Sequence, residues 1–254
     1  MKKLILDKLK ELSKEHDITM LYACESGSRA WGFPSPDSDY DVRFIYVHKP
    51  DWYLSLSEGK DTINLPIDKH ELDITGWELR KGLRLLKKSN ASPLEWIQSP
   101  IVYGEVNGFK QKFSELAADF FSPVAVAHHY HSMSLKYIEA CVGKEEVKLK
   151  SYFYALRTTL AVSWIRKMNT MAPIVFADML ELVEAPVRRR IEELMEIKSR
   201  ENESYLSASD KLIDAFLSST FEANGVKLTE LSAGNGDFSV LNDFFIKTVK
   251  GGYK

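Results

Sequence analysis

The chain has 254 residues, 44% of them apolar and 28% charged, with a formal net charge of −2. That length bounds it to one large domain or two modest ones, at roughly 100–200 residues each. The balanced charge excludes a generally basic nucleic-acid coat but leaves room for a local basic groove. The two cysteines, Cys24 and Cys141, lie far apart with no metal-ligand spacing, which excludes a disulfide framework and fits a reducing compartment.

The N-terminus opens on lysines, but Asp7, Lys8, Lys10 and Glu11 interrupt any apolar signal region. No apolar run approaches the roughly 18 residues of a membrane span. The expectation is a cytoplasmic protein with no membrane partner. Residues 3–15 carry Leu4, Ile5, Leu9 and Leu12 at helical spacing. "ITMLYACE" (18–25) reads as a central strand, "VRFIYV" (42–47) as a second and "LDIT" (72–75) as a short third. From Gly76 the pattern turns helical, with Leu79, Leu83 and Leu86 on one side.

Beyond roughly residue 120 the texture becomes helical. Ser122-Pro123 is N-cap and first-turn chemistry. Residues 146–168 read as one long helix with Leu149, Phe153, Leu156 and Leu160 in a stripe. Pro186 opens another helix, residues 203–225 a further one with Gly225 as C-cap, and residues 239–250 close the chain. The pattern predicts an α+β protein divided into residues 1–118 and a helical part, residues 119–254.

The stretch "ESGSRAWGFPSPDSDYDVRFIYV" (25–47) carries Asp37, Asp39 and Asp41 at the mouth of a core strand. Side chains alternate along a strand, so Asp39 and Asp41 would share a face. Two carboxylates side by side repel unless a cation joins them, and Mg²⁺ prefers such hard oxygens. Asp73, framed by Leu72 and Ile74, could complete a three-carboxylate, two-metal site from an adjacent strand. Gly27-Ser28 ends a strand and could let backbone approach a phosphate, the hydroxyl acting as donor. Asp37 sits in "SPDS", which is turn-capping chemistry.

A Gly-Ser turn, ten intervening residues, Asp-x-Asp and a later framed acid resemble the DNA polymerase β-like nucleotidyltransferase superfamily. The longer string "SGSRAWGFPSPDSDYDVRFIY", with "KSYFYALRTTLAVSWI" (150–165), is similar to the RNA-repair-associated, RlaP-like family of predicted nucleotidyltransferases, over most of the chain. The resemblance implies a polymerase β-like sheet with flanking helices, plus a helical C-terminal domain closing a nucleotide cleft. It implies transfer of an NMP from an NTP to an acceptor hydroxyl, with release of pyrophosphate. Asp39, Asp41 and Asp73 would hold two Mg²⁺ ions, with Mn²⁺ as a substitute, and Asp73 would polarise the acceptor. Gly27 and Ser28 would grip the triphosphate. An RNA end is the leading acceptor; a protein hydroxyl (AMPylation) and a small molecule are the rivals. A non-catalytic nucleotide-binding protein of the same fold is the alternative from another class.

Other side chains carry two readings each. Arg29 could bind a phosphate or pair with a nearby aspartate. Trp31 and Phe33 could stack on a base or anchor their loop, and anchoring is preferred. Arg43 shares the strand face of Asp41 and could balance the acids. Lys150, Tyr154 and Arg157, at spacings of four and three, share one helix face. The family likeness favours them as nucleotide contacts over a plain amphipathic face. Arg80, Arg84, Lys87 and Lys88 read as a solvated helix face. His128, His129 and His131 read as packing groups, since no further metal ligand is suitably spaced.

Overall fold

The computed structural model describes residues 1–106, 108–226 and 228–251. The described residues gather into two compact units interleaved in sequence. Met1–Ala30, Asp39–Phe120 and Asn235–Lys254 belong to the first; Trp31–Ser38 and Phe121–Gly234 belong to the second. The expected division at residues 118/119 differs from these units at residues 31–38, at residues 119–120 and in the C-terminal stretch from Asn235.

The first unit opens with α1 (Lys2–Glu15), whose Ile5, Leu9 and Leu12 are buried at helical spacing. Then come β1 (Ile18–Glu25), α2 (Gly27–Trp31, its last residue in the second unit) and β2 (Tyr40–His48). They are followed by α3 (Pro50–Tyr53), β3 (Thr62–Asn64), β4 (Leu72–Glu78) and α4 (Leu79–Lys87). The run ends with α5 (Ala91–Gln98), β5 (Val102–Glu105) and α6 (Phe109–Phe120). The five strands lie in the order β3-β4-β2-β1-β5. β2 and β4 are parallel and every other neighbouring pair is antiparallel. Val42, Phe44, Leu72 and Ile74 join the α1 residues in the core.

Two expectations need correction here. Asp39 lies before β2, which starts at Tyr40. Within β2 the shared face is that of Asp41 and Arg43, and Asp39 lies one residue outside the strand. The third strand also runs on to Glu78, and the helix begins only at Leu79. Parallel pairing with β2 continues through Tyr46–Glu78, and a side chain at Gly76 would collide with the Phe44 ring. Glu78 then caps α4 by accepting the Arg80 N–H at 2.7 Å.

The second unit contains α7 (Pro123–Cys141), β6 (Glu146–Lys148), α8 (Leu149–Met168) and α9 (Phe176–Met179). It continues through α10 (Ala185–Arg200), β7 (Leu206–Ala208) and α11 (Lys211–Gly225), with α8 packed along α7 and α11. β6 and β7 pair antiparallel in segments expected to be helical. Helix α11 starts late because Asp210 accepts from the Leu212 and Ile213 N–H groups at 3.0 and 3.1 Å. The last helix, α12 (Phe238–Val249), belongs to the first unit.

Residues 31–38 are built into the second unit by aromatic and polar contacts. Phe33 is buried, with its ring 5.1 Å from Phe153 and 5.4 Å from Phe176. Lys198 Nζ donates to Ser35 Oγ at 2.8 Å, and Ser38 Oγ donates to Glu203 at 2.8 Å. Phe33 therefore anchors its loop, the preferred reading. His131 stacks on Phe221 at 4.2 Å, a packing role as expected.

Candidate active site at the sheet end

Parallel pairing puts the first residues of β2 and β4 at one end of the sheet, where antiparallel β1 finishes. Asp41 and Asp73 are direct partners in that register, and Glu25 faces Val42 from β1. Strict alternation along β4 buries Leu72 and Ile74 and leaves Asp73 half-buried between them. Backbone pairing therefore sets the two acidic residues side by side.

Arg43, two residues along from Asp41, lies between them. Its Nη2 donates to Asp41 Oδ1 and to Asp73 Oδ2, each at 2.8 Å. The balancing role read from the strand face is what its side chain performs. Burial pushes the Asp41 carboxyl above its ordinary value; Arg43 opposes that shift, while Asp73 and Asp39 add to it. Asp39 is thus within electrostatic reach but outside the ion-paired set.

Gly27 follows β1 with φ +59°, a left-handed conformation that disfavours L side chains. A Cβ there would also collide with the Asp41 carboxylate. Ser28 is buried in the short helix α2. Arg29 donates to the Asp39 carbonyl at 3.1 Å, and its guanidinium lies 3.7 Å from the centre of the Tyr40 ring. It joins the chain just before and just after residues 31–38.

Glu25 is a participant that sequence reading missed. It is fully buried and accepts the Asp41 backbone N–H at 2.8 Å, with the Tyr103 hydroxyl donating to its other oxygen. Burial raises its pKa, against the pull of those two donors. The signal was an acid ending an apolar strand directly before Gly-Ser; the partner, Tyr103, is remote in sequence.

The donor chemistry of Asp41 and Asp73 fits a hard divalent cation, and the missing side chain at Gly27 makes room for the Asp41 carboxylate against the backbone. Among the described residues, no three or more His, Cys, Asp or Glu side chains are grouped so as to hold a metal ion. The cation joining the acids in this structure is the Arg43 guanidinium.

The remaining predicted nucleotide contacts lie in the second unit. Lys150 Nζ pairs with Glu203 at 2.6 Å. The Tyr154 ring is 5.3 Å from Trp31 and 5.0 Å from Tyr137. Arg157 is buried, its guanidinium 4.2 Å from the Trp31 ring centre. Lys150 Nζ lies 5.9 Å from the Tyr154 ring centre, so the three side chains form a cation–aromatic chain with Trp31. On α4 the basic face is partly packed, with Arg80 over Tyr53 and Phe245 and Lys87 over Phe238.

Residues 1–247 match the model of a family described as RlaP, the RNA repair pathway DNA polymerase beta family. The chain belongs to this family. It is 44% identical to the uncharacterized protein YcgL of Bacillus subtilis (strain 168), over 98% of this chain and 97% of that protein. A nucleotidyltransferase-like protein of Exiguobacterium sibiricum 255-15 shows a slight structural likeness. Its TM-score is 0.35 at 10% identity, over 89% of this chain and 78% of that one, too little to argue from. As an RlaP-family member the chain is a nucleotidyltransferase-like protein of mixed α+β fold. Among the described residues no helix is long and apolar enough to cross a membrane.

Proposed function

We propose that this RlaP-family chain is a metal-dependent nucleotidyltransferase that moves an NMP from an NTP to an acceptor hydroxyl, releasing pyrophosphate. The observation that carries this reading is the in-register pair Asp41 and Asp73 beside Gly27, a position that no other residue fills without strain and collision. Asp39, Asp41 and Asp73 would hold two Mg²⁺ ions, which when bound supply charge neutralisation on the triphosphate and acidify the acceptor hydroxyl. Gly27 and Ser28 offer backbone and hydroxyl donors to phosphate oxygens. Asp73 orients and polarises the attacking hydroxyl. Glu25 positions Asp41 through its backbone N–H. Lys150, Tyr154 and Arg157 are proposed as nucleotide contacts on family resemblance.

The family's place in RNA repair favours an RNA end as acceptor. The test is incubation with Mg²⁺ and each of the four α-labelled NTPs, with RNA, with cell protein, or with no acceptor. The Asp39→Ala/Asp41→Ala variant runs in parallel. Label on RNA, absent with the variant, is the expected result. Label on protein would move the acceptor to a protein hydroxyl. NTP binding without label on any acceptor would overturn the enzymatic reading.

A further inference from the structure

Arg43 is committed to the two acids more fully than a surface ion pair requires. Its Nη1 donates to the Val42 and Asp73 carbonyls at 3.1 and 2.9 Å, while Nη2 bridges the two carboxylates. Its side chain is 17% exposed, against 26% and 27% for Asp41 and Asp73, so water screens the trio only in part. The strand register forces the acids together, and an unopposed pair of half-buried charges is costly. Arg43 offsets that cost within the folded chain itself.

The same position keeps a metal off the two carboxylate oxygens that Arg43 holds. Nη2 lies 2.8 Å from one oxygen of each acid. A Mg²⁺ ion takes oxygens at about 2.0–2.1 Å, so guanidinium and ion cannot bridge the same two atoms. Resting on the metal-dependent reading above, we propose that Arg43 is a positioning residue, the resident counter-cation of Asp41 and Asp73. It releases the acids when a divalent cation is taken up, so docked Arg43 and bound metal are competing states of one site. The apparent metal affinity of the wild type is lowered by the fraction of molecules with Arg43 docked.

The test needs no turnover. Mn²⁺ binding to the wild type, Arg43→Gln and Arg43→Lys is measured by the electron-paramagnetic signal of free Mn²⁺. Thermal unfolding is recorded with and without the ion, in the absence of nucleotide. Arg43→Gln is expected to bind Mn²⁺ about tenfold more tightly than the wild type, a coupling of ordinary size for linked states. It is also expected to melt lower without metal and to recover more than the wild type when Mn²⁺ is added. Arg43→Lys keeps the charge but loses the planar fork, and is expected to fall between the two. Wild-type binding with equal or weaker binding by both variants would overturn the proposal and leave the metal-dependent reading intact. Absence of Mn²⁺ binding by all three proteins would overturn both.

Discussion

Asp37 and Asp41 stand four residues apart in one acidic run, yet they belong to different units and face opposite tasks. Asp37 is exposed, and its carboxylate accepts the Glu203 backbone N–H at 2.9 and 3.2 Å, fastening residues 31–38 within the second unit. Asp41 is held at the sheet end of the first unit against a second acid, with Arg43 between them. One acid satisfies a backbone donor; the other keeps a charge that its surroundings disfavour. In this chain strand register holds Asp41 against a second acid, whereas turn chemistry disposes of Asp37.

The largest expected effect lies at the sheet end. Asp41→Asn or Asp73→Asn should lower the rate of nucleotidyl transfer by about 10³-fold, on the scale of losing a main electrostatic group. Circular dichroism should show the fold retained; an active Asp73→Asn protein would remove that acid from the chemistry. The loop side breaks through packing. Phe33→Ala empties a buried aromatic site and should cost about 3–5 kcal/mol in thermal or denaturant unfolding. A cost below 1 kcal/mol would mean that the loop is not anchored by this ring.

Gly27→Ala should cost about 2 kcal/mol from backbone strain alone, with activity lost through the displaced Asp41 carboxylate. Lys150→Met should be milder for stability, at most about 1 kcal/mol, because the Lys150 side chain is 41% exposed.

Acid titration sharpens the same contrast. Glu25 and Asp41 have raised carboxyl pKa values, mainly from burial. Their folded forms hold a proton more tightly than the unfolded chain. That contribution favours folding at low pH and fades as pH rises through the raised values. For Glu203, burial acts upward, but donation from Lys150 and Ser38 leaves the carboxyl below its ordinary value. Its contribution is present above the unfolded value and is lost as pH falls through the depressed one. Hydrogen exchange, corrected for intrinsic rates, should show residues 198–206 losing protection before residues 20–25 and 41–45, the β1 and β2 segments around Glu25 and Asp41, between pH 5 and 3. The reverse order would contradict these assignments.

Much of the sheet end was legible because its signals are local. The β1 strand occupies the span that its apolar run predicts. Asp73 was recognisable by its apolar neighbours, since alternation exposes the residue between two core positions. Asp39 was read as part of the strand but lies one residue before its first paired residue, Tyr40. Glu25 was missed because its partners, Tyr103 and the Asp41 N–H, become neighbours only through sheet pairing. The β6–β7 ribbon was hidden for the same reason: each three-residue strand is defined by the other. Lys150 and Glu203 likewise meet only in the folded second unit.

The most direct test compares pyrophosphate release from NTP by the wild type, Asp37→Asn and Asp41→Asn under Mg²⁺ and saturating acceptor. Asn at position 37 keeps an acceptor oxygen for the Glu203 N–H, so that protein should run within about threefold of the wild type. Asn at position 41 removes one of the two paired charges and should run about 10³-fold slower. Equal losses at the two positions, or an active Asp41→Asn protein, would contradict the division of labour drawn between these two aspartates.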